Sequence, residues 1–188
     1  MLQSVKEDIY RYECDRCTNL LVRIKYALVP GTRTMWLLRH YQAASSRFTR
    51  MLWEMLCYLD KYSTGVQIPP QTKIGRGCRI AHFGNIIINP NAVIGKNFNI
   101  APGCLIGNSW VKGVHGAPTI GDNCWMSANS VVVGKIKVGN NVLIGPGALV
   151  NFNVPDNSIV IGNPGKIIQR DSSPTWKYIG YPVENCKV

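Results

Sequence analysis

The chain has 188 residues, 46% of them hydrophobic, and sets 21 Lys and Arg against 10 Asp and Glu for a formal charge of +11. That length suits one sizeable core with a helical preface better than two independent globules, and the charge asks for an anionic partner such as nucleic acid, a membrane surface or a phosphorylated small molecule. Neither a cationic start leading into a long apolar core nor an apolar run of about 18 residues is present, which argues against secretion and membrane spanning and for the cytoplasm.

Residues 3–28 carry apolar positions at helical spacing (Val5, Ile9 and Tyr12, then Leu20, Leu21, Ile24 and Leu28), enough for one amphipathic helix or two short ones, ended by Pro30 and Gly31. A second helical segment runs from Thr34 to about Tyr62, with Met35, Leu38, Phe48, Leu52, Met55 and Leu59 on an apolar face and Arg39, Arg47, Arg50 and Lys61 on a basic one. Such a helix packs on its own domain or on a sister subunit more often than it lies on a membrane. The basic face leaves a peripheral place at the inner membrane open. Cys14 and Cys17 form a lone CxxC with no second pair and no nearby histidine, so helical spacing explains them and no metal is expected. The helical segment thus takes residues 1–64, and Pro69 and Pro70 sit in the linker that leaves it.

From Ile68 an aliphatic residue returns every sixth position. Ile68, Ile74, Ile80 and Ile86 set the period, Ile94, Ile100 and Ile106 resume it two residues late, and Ile120, Met126, Val132, Val138, Ile144 and Val150 carry it on. A glycine follows at Gly75, Gly95, Gly107, Gly121, Gly139 and Gly145, where a tight corner leaves no room for a Cβ. The fifth position is mostly small, so Cys78, Cys104 and Cys124, three of the seven cysteines, read as core filler. This is a parallel β-helix in which three hexads close a triangular coil, giving about four coils over residues 65–168. Between Ile106 and Ile120 the period breaks. Residues 108–119 therefore leave the prism as a loop made irregular by Gly113, Gly116 and Pro118, with Trp110 and His115 as its chemistry-bearing side chains. Residues 169–188 form a tail that packs along the outside.

Assigning hexads to the three faces in turn stacks Ile80, Ile100, Met126 and Ile144. Two residues on from each lie His82, Pro102, Ala128 and Pro146, one imidazole at the end of a small, smooth track about 14 Å long at ~4.8 Å per coil. That length is comparable to an extended pantetheine arm. Histidine takes up a proton near neutral pH, as a base acting on an acceptor hydroxyl must.

The runs IPPQTKIGRGCRIAHFGNIIINPNAVIG, GAPTIGDN and VPDNSIVIGNPGKII resemble the hexapeptide-repeat acyltransferases, specifically the serine acetyltransferase-like branch that includes enzymes of capsule and exopolysaccharide pathways. The resemblance covers residues 60–168. It implies a mainly β chain, a left-handed parallel β-helix after a small α-helical N-terminal segment, acting as an acetyl-CoA-dependent O-acetyltransferase. By the same resemblance His82 is the general base, Ala128 offers its amide to the pantetheine, Lys166 of NPGK meets the phosphates of coenzyme A, and His115 helps hold the acceptor; the tetrahedral oxyanion needs a donor, which main-chain N–H groups of the coils or of the Gly107 corner could supply, and Pro146 lies along the donor track without an N–H to give. It also implies a homotrimer with sites between neighbouring prisms. Three positions depart from the serine enzymes: Pro146 stands where relatives have Ala with a free N–H, so any contact there is apolar or through a carbonyl, Ala81 stands where Asp is expected before the histidine, and Val114 where the loop has Arg. An amino-acid acceptor needs opposite charges in fixed places, whereas a sugar needs hydrogen bonds, which Asn85, Asn108, Ser109 and His115 offer beside Trp110 as a stacking surface. The expectation is therefore transfer to a sugar hydroxyl on a carrier-linked polysaccharide precursor, with no metal and no nucleic acid. The alternatives are transfer to L-serine, with Asp8 or Asp15 supplying a carboxylate, and a non-catalytic solenoid that binds through its basic helices. A zinc carbonic anhydrase on the same scaffold needs three histidines, and of His40, His82 and His115 the first lies in the helical preface.

Overall fold

The computed structural model describes residues 2–14, 19–111 and 114–186. Four helices precede the solenoid: α1 (Gln3–Glu13), α2 (Leu20–Leu28), α3 (Pro30–Ala43) and α4 (Arg47–Thr64). Pro30 begins a helix rather than only ending one, because at the first helical position its fixed φ suits the turn and its missing N–H costs nothing. The second helical segment is likewise divided, at Ser46, whose Oγ accepts the Thr49 N–H at 3.1 Å and starts α4. Cys17 and Asp15 lie outside the described residues.

The strands, numbered in chain order, stack into three faces. Face A holds β1 (Val66–Gln67), β4 (Ile86–Ile88), β7 (Leu105–Gly107), β12 (Val131–Val133) and β15 (Leu149–Val150). Face B holds β2 (Lys73–Ile74), β5 (Val93–Ile94), β10 (Thr119–Ile120) and β13 (Lys137–Val138), with Val154 bridged to Val138 as a fifth rung. Face C holds β3 (Arg79–Ile80), β6 (Asn99–Ile100), β11 (Trp125–Met126), β14 (Leu143–Ile144) and β16 (Ser158–Ile161), closed by the antiparallel β17 (Lys166–Gln169). Five coils are present instead of about four. Val66 rather than Ile68 occupies the first face-A rung, paired with Ile86, and Val160 adds a last coil beyond Val150. The hexad aliphatics form the interior, from Ile86 to Val150 almost all fully buried, with Phe98, Cys78, Cys104 and Cys124 among them. Burial pushes the Cys78 and Cys124 thiols up to about 12, as inert filler requires.

Among the hexad glycines, backbone-on-backbone stacking is concentrated at one corner. Between faces B and C, Gly75, Gly95, Gly121 and Gly139 stack so closely that a Cβ on any of the first three would lie 2.5–2.8 Å from the backbone of the next. Beside them runs a row of asparagines in the left-handed region, Asn97, Asn123, Asn141 and Asn157 at φ 54–57°. Each side-chain amide donates to the next one's Oδ1 at 2.9, 3.1 and 2.9 Å. A second row, Asp122, Asn140 and Asp156, accepts the N–H groups of Lys96, Asp122 and Asn140. The spacing Gly-x-Asn carries this ladder in the sequence, where attention to the aliphatic period alone passes over it.

The helices dock on the first coils. Arg39, placed on the basic face by its helical position, is instead buried. It pairs with Asp8 at 2.8 Å and donates to the carbonyls of Ile74 and Gly75, while Asp8 accepts the Cys78 N–H. α3 crosses β3 at Gly31, where a Cβ would meet Ile80 at 3.0 Å. The tail returns along the outside: Tyr178 stacks on Trp125 at 5.2 Å, and Val183 donates its N–H to Asn97 Oδ1 at 2.9 Å.

Candidate active site

The register stacks Ile80 on Ile100, Ile100 on Met126 and Met126 on Ile144, so His82, Pro102, Ala128 and Pro146 follow the four strands at one corner, between faces C and A. His82 is exposed at the near end, and no described residue hydrogen-bonds its ring. α1 braces the strand before it: Tyr12 Oη lies 2.9 Å from both the N and the O of Ile80. α4 braces the loop after it, its last turn and cap offering the Thr64 and Gly65 carbonyls to the N–H groups of Gly84 and Ile86. Asn85 is exposed in that same loop, so the structure brings it to the His82 corner.

Along the track the backbone is spent unevenly. Pro102 O accepts the Asn129 N–H and Ala128 O accepts the Gly147 N–H, both at 3.0 Å, yet the Ala128 N–H has no partner among the described residues. Pro102 and Pro146, in the coils on either side, have no N–H to offer. The Ala128 N–H is thus a main-chain donor without a partner among the described residues, set between two prolines. Past Pro146 the corner continues to Gly162 and then to Lys166, the first residue of β17 and paired with Ile161. At about 4.8 Å per strand Lys166 stands five strands, about 24 Å, from His82.

Gly107, Asn108 and His115 lie elsewhere on the prism. They sit at the corner between faces A and B, where the chain leaves β7, so the width of face A separates them from His82 within one chain. The extruded segment is also more regular than glycine and proline content suggests: β8 (Ser109–Val111) and β9 (Val114–Gly116) pair antiparallel as a hairpin, with Trp110 opposite His115. Asn108 Nδ2 lies 2.9 Å from His115 Nε2, which joins two of the expected acceptor-binding side chains. The side chains of Trp110 and Val114 lie outside the described residues. Asp8, a carboxylate the sequence leaves free to meet an acceptor, is consumed by Arg39. His40 is packed between the rings of Trp36 and Trp53, with Nδ1 2.8 Å from Trp36 O. Among the described residues no three His, Cys, Asp or Glu side chains form a metal-sized cluster, and no helix is long and apolar enough to cross a membrane.

Residues 117–151 match the family described as bacterial transferase hexapeptide (six repeats). The serine acetyltransferase of Staphylococcus epidermidis is 31% identical over 176 residues, which is 91% of this chain and 80% of that one, and its Staphylococcus aureus counterpart matches equally. The crystal structure of serine acetyltransferase from Vibrio cholerae superposes with a TM-score of 0.77 at 22% identity, covering 92% of this chain and 67% of that one. The Neisseria gonorrhoeae enzyme in complex with serine gives 0.71 at 26%, over 88% and 68%. The fold is accordingly the left-handed parallel β-helix. These relatives overturn the expectation of a sugar acceptor in polysaccharide biosynthesis, which rested on Ala81 and Val114. Two positions in a loop and a corner are outweighed by similarity that runs through helices, hairpin and solenoid together. The capsule and exopolysaccharide branch is not what the similarity shows. The chain is an acyltransferase of the hexapeptide-repeat family and belongs to its serine acetyltransferases.

Proposed function

We propose that the protein transfers an acetyl group from acetyl-CoA to the hydroxyl of L-serine, with His82 as general base. The observation that carries this reading is the coincidence of near full-length similarity to serine acetyltransferases with a single exposed imidazole at the end of the Pro102, Ala128 and Pro146 track. The arm of the donor lies along the track, its amide carbonyl accepting the Ala128 N–H, Pro146 in van der Waals contact, and its phosphates toward Lys166. His82 takes the hydroxyl proton as the acceptor oxygen attacks the thioester carbonyl. The tetrahedral oxyanion collapses with cleavage of the C–S bond, and the imidazolium returns its proton to the departing thiolate, leaving an ester and free CoA. A positioned base of this kind contributes about 10²- to 10⁴-fold.

Because His82 and the Asn108–His115 pair occupy different corners, the acceptor site is completed by a neighbouring prism, whose A/B corner and Gly107 turn approach the C/A corner of the first. This is a homotrimer, and its hairpin brings Asn108 and His115 to the acceptor opposite Asn85. The test is thiol release from acetyl-CoA with L-serine, with the product identified by mass. Serine-dependent release of one thiol per ester formed is expected. Release that ignores serine, or none at all, contradicts the reading.

A further inference from the structure

Strand β3 is the free edge of face C, the rung with no coil below it. Its bonds to the next coil are made by Arg79 and Ala81, whose N–H groups donate to Phe98 O and Ile100 O at 2.8 and 3.0 Å. Alternate residues of a parallel strand serve opposite neighbours, so the N–H and C=O of Ile80, between those two, belong to the open side. An unpaired edge leaves such groups to water or to another chain. Here the helices take them. Asp8 Oδ1 accepts the Cys78 N–H at 3.0 Å, and Arg39 donates to the Ile74 and Gly75 carbonyls at 2.7 and 2.6 Å. Tyr12 Oη serves both groups of Ile80, donating to its O and accepting from its N, each at 2.9 Å.

We propose that Tyr12 is a positioning residue for His82, its hydroxyl standing in for the missing strand beneath Ile80. The inference rests on the reading of His82 as the base. Ile80 lies two residues before His82, and Gly84, two residues after it, gives its N–H to Thr64 O at 3.0 Å, so the run that carries the imidazole is anchored on its open side by helices alone. A neutral hydroxyl suits the first anchor because it donates and accepts at once, as a strand's peptide units do. Desolvation pushes the Tyr12 phenol above its ordinary value, so it keeps its proton throughout the range in which histidine titrates. The ring is gripped on two sides, by Tyr26 with centroids 5.4 Å apart and by Arg79, whose guanidinium carbon lies 5.2 Å from the ring centre. Arg79 precedes Ile80 in β3, so strand and brace hold each other. A base must meet the acceptor hydroxyl within hydrogen-bond reach, and a shift of about 1 Å can cost about 10²-fold in rate. The donor track of Pro102, Ala128 and Pro146 belongs to later coils, so the brace acts on turnover and not on donor binding.

Tyr12→Phe removes the oxygen and keeps the ring. With L-serine as acceptor its kcat is expected to fall about tenfold while the KM for acetyl-CoA stays within about twofold. Tyr26→Phe is the control for loosened packing: it loses the Tyr26 Oη bond to Glu13 at 2.7 Å but leaves Ile80 untouched, so its kcat should stay within about twofold. Hydrogen exchange on the unaltered protein needs no variant, and the Ile80 amide, although at a sheet edge, is expected to exchange at least about 10²-fold more slowly than in the urea-unfolded chain. A Tyr12→Phe kcat within about threefold of the unaltered protein's overturns the proposal. So does an equal fall in Tyr26→Phe, a change confined to KM, or an unprotected Ile80 amide. His82→Ala, assayed beside them, separates the two claims: if it is inactive while Tyr12→Phe is fully active, only the positioning role fails, and if it keeps its turnover, the base reading fails and the positioning role with it.

Discussion

Two corners of the same prism are built from the same hexads and do opposite things. At the corner between faces B and C almost every polar group is consumed by the next coil: four glycines stack backbone on backbone, four asparagines pass one amide to the next, and Asp122, Asn140 and Asp156 take main-chain N–H groups. At the corner between faces C and A the coils stack just as regularly, yet the His82 ring is exposed and neither it nor the Ala128 N–H has a partner among the described residues. A repeat satisfies its own backbone by default, because an orphaned polar group costs stability. A column where donors remain unspent is thus where a ligand belongs, and that contrast separates scaffold from site without reference to any single motif.

The contrast can be broken from the scaffold side first. Asn123→Ala removes two rungs of the amide ladder and puts a Cβ without a side-chain amide at φ 56°, so stability should fall by about 2 kcal/mol. For a chain of this size that lowers Tm by roughly 4–8 °C. Calorimetry measures it, while kcat/KM at 25 °C should stay within twofold of the unaltered protein. A smaller and opposite pattern is expected of Ala128→Pro. Proline already occupies the equivalent position in the coils above and below, so the corner accepts the ring, but the free N–H is lost. The KM for acetyl-CoA should rise about 5- to 10-fold, the worth of one hydrogen bond, with Tm unchanged. A fall in Tm with KM unmoved would make Ala128 part of the scaffold.

The smallest effect lies where the tail meets the ladder. Glu184 accepts from Lys96 at 2.6 Å and from Asn97 at 2.9 Å. Burial alone would raise its carboxyl, but those two partners hold it down at about 2. A carboxyl depressed in the folded state stabilises above its unfolded value of ~4.3, and that contribution is lost as pH falls from about 5 toward 2. Because Glu184 is 42% exposed, solvent screens most of it. A change in tryptophan fluorescence over that range, from Trp125 under Tyr178, should appear in the unaltered protein and be absent in Glu184→Gln.

The aliphatic period made the solenoid, its interior and the His82 column legible, since alternation of inside and outside at fixed spacing is a direct projection of the three faces. What it could not show follows from chemistry that a period does not carry. Val66 and Val160 escaped because the first and last coils break the spacing, with eight residues from Val66 to Ile74 and four from Val150 to Val154. Arg39 and Asp8 looked solvated, yet each is buried because the other neutralises it across α1 and α3. The apolar face of α4 read as packed on the domain or on a sister subunit, and hydrophobicity gives no indication of which of two apolar sides the chain itself covers; Phe48, Leu52, Met55 and Leu59 are exposed. The acceptor was misread for a related reason: Ala81 and Val114 are local departures, outweighed by similarity that extends over most of the chain.

The most direct test of the account is serine-dependent thiol release from acetyl-CoA by His82→Ala, measured beside the unaltered protein at saturating donor. His82 is an exposed corner residue with no hydrogen bond among the described residues, so the variant should keep its Tm and its oligomeric mass. If His82 is the base, turnover falls by about 10²- to 10⁴-fold. Turnover above about a tenth of the unaltered protein's, in a variant that remains folded, would contradict the assignment of the C/A corner as the place where the chemistry occurs.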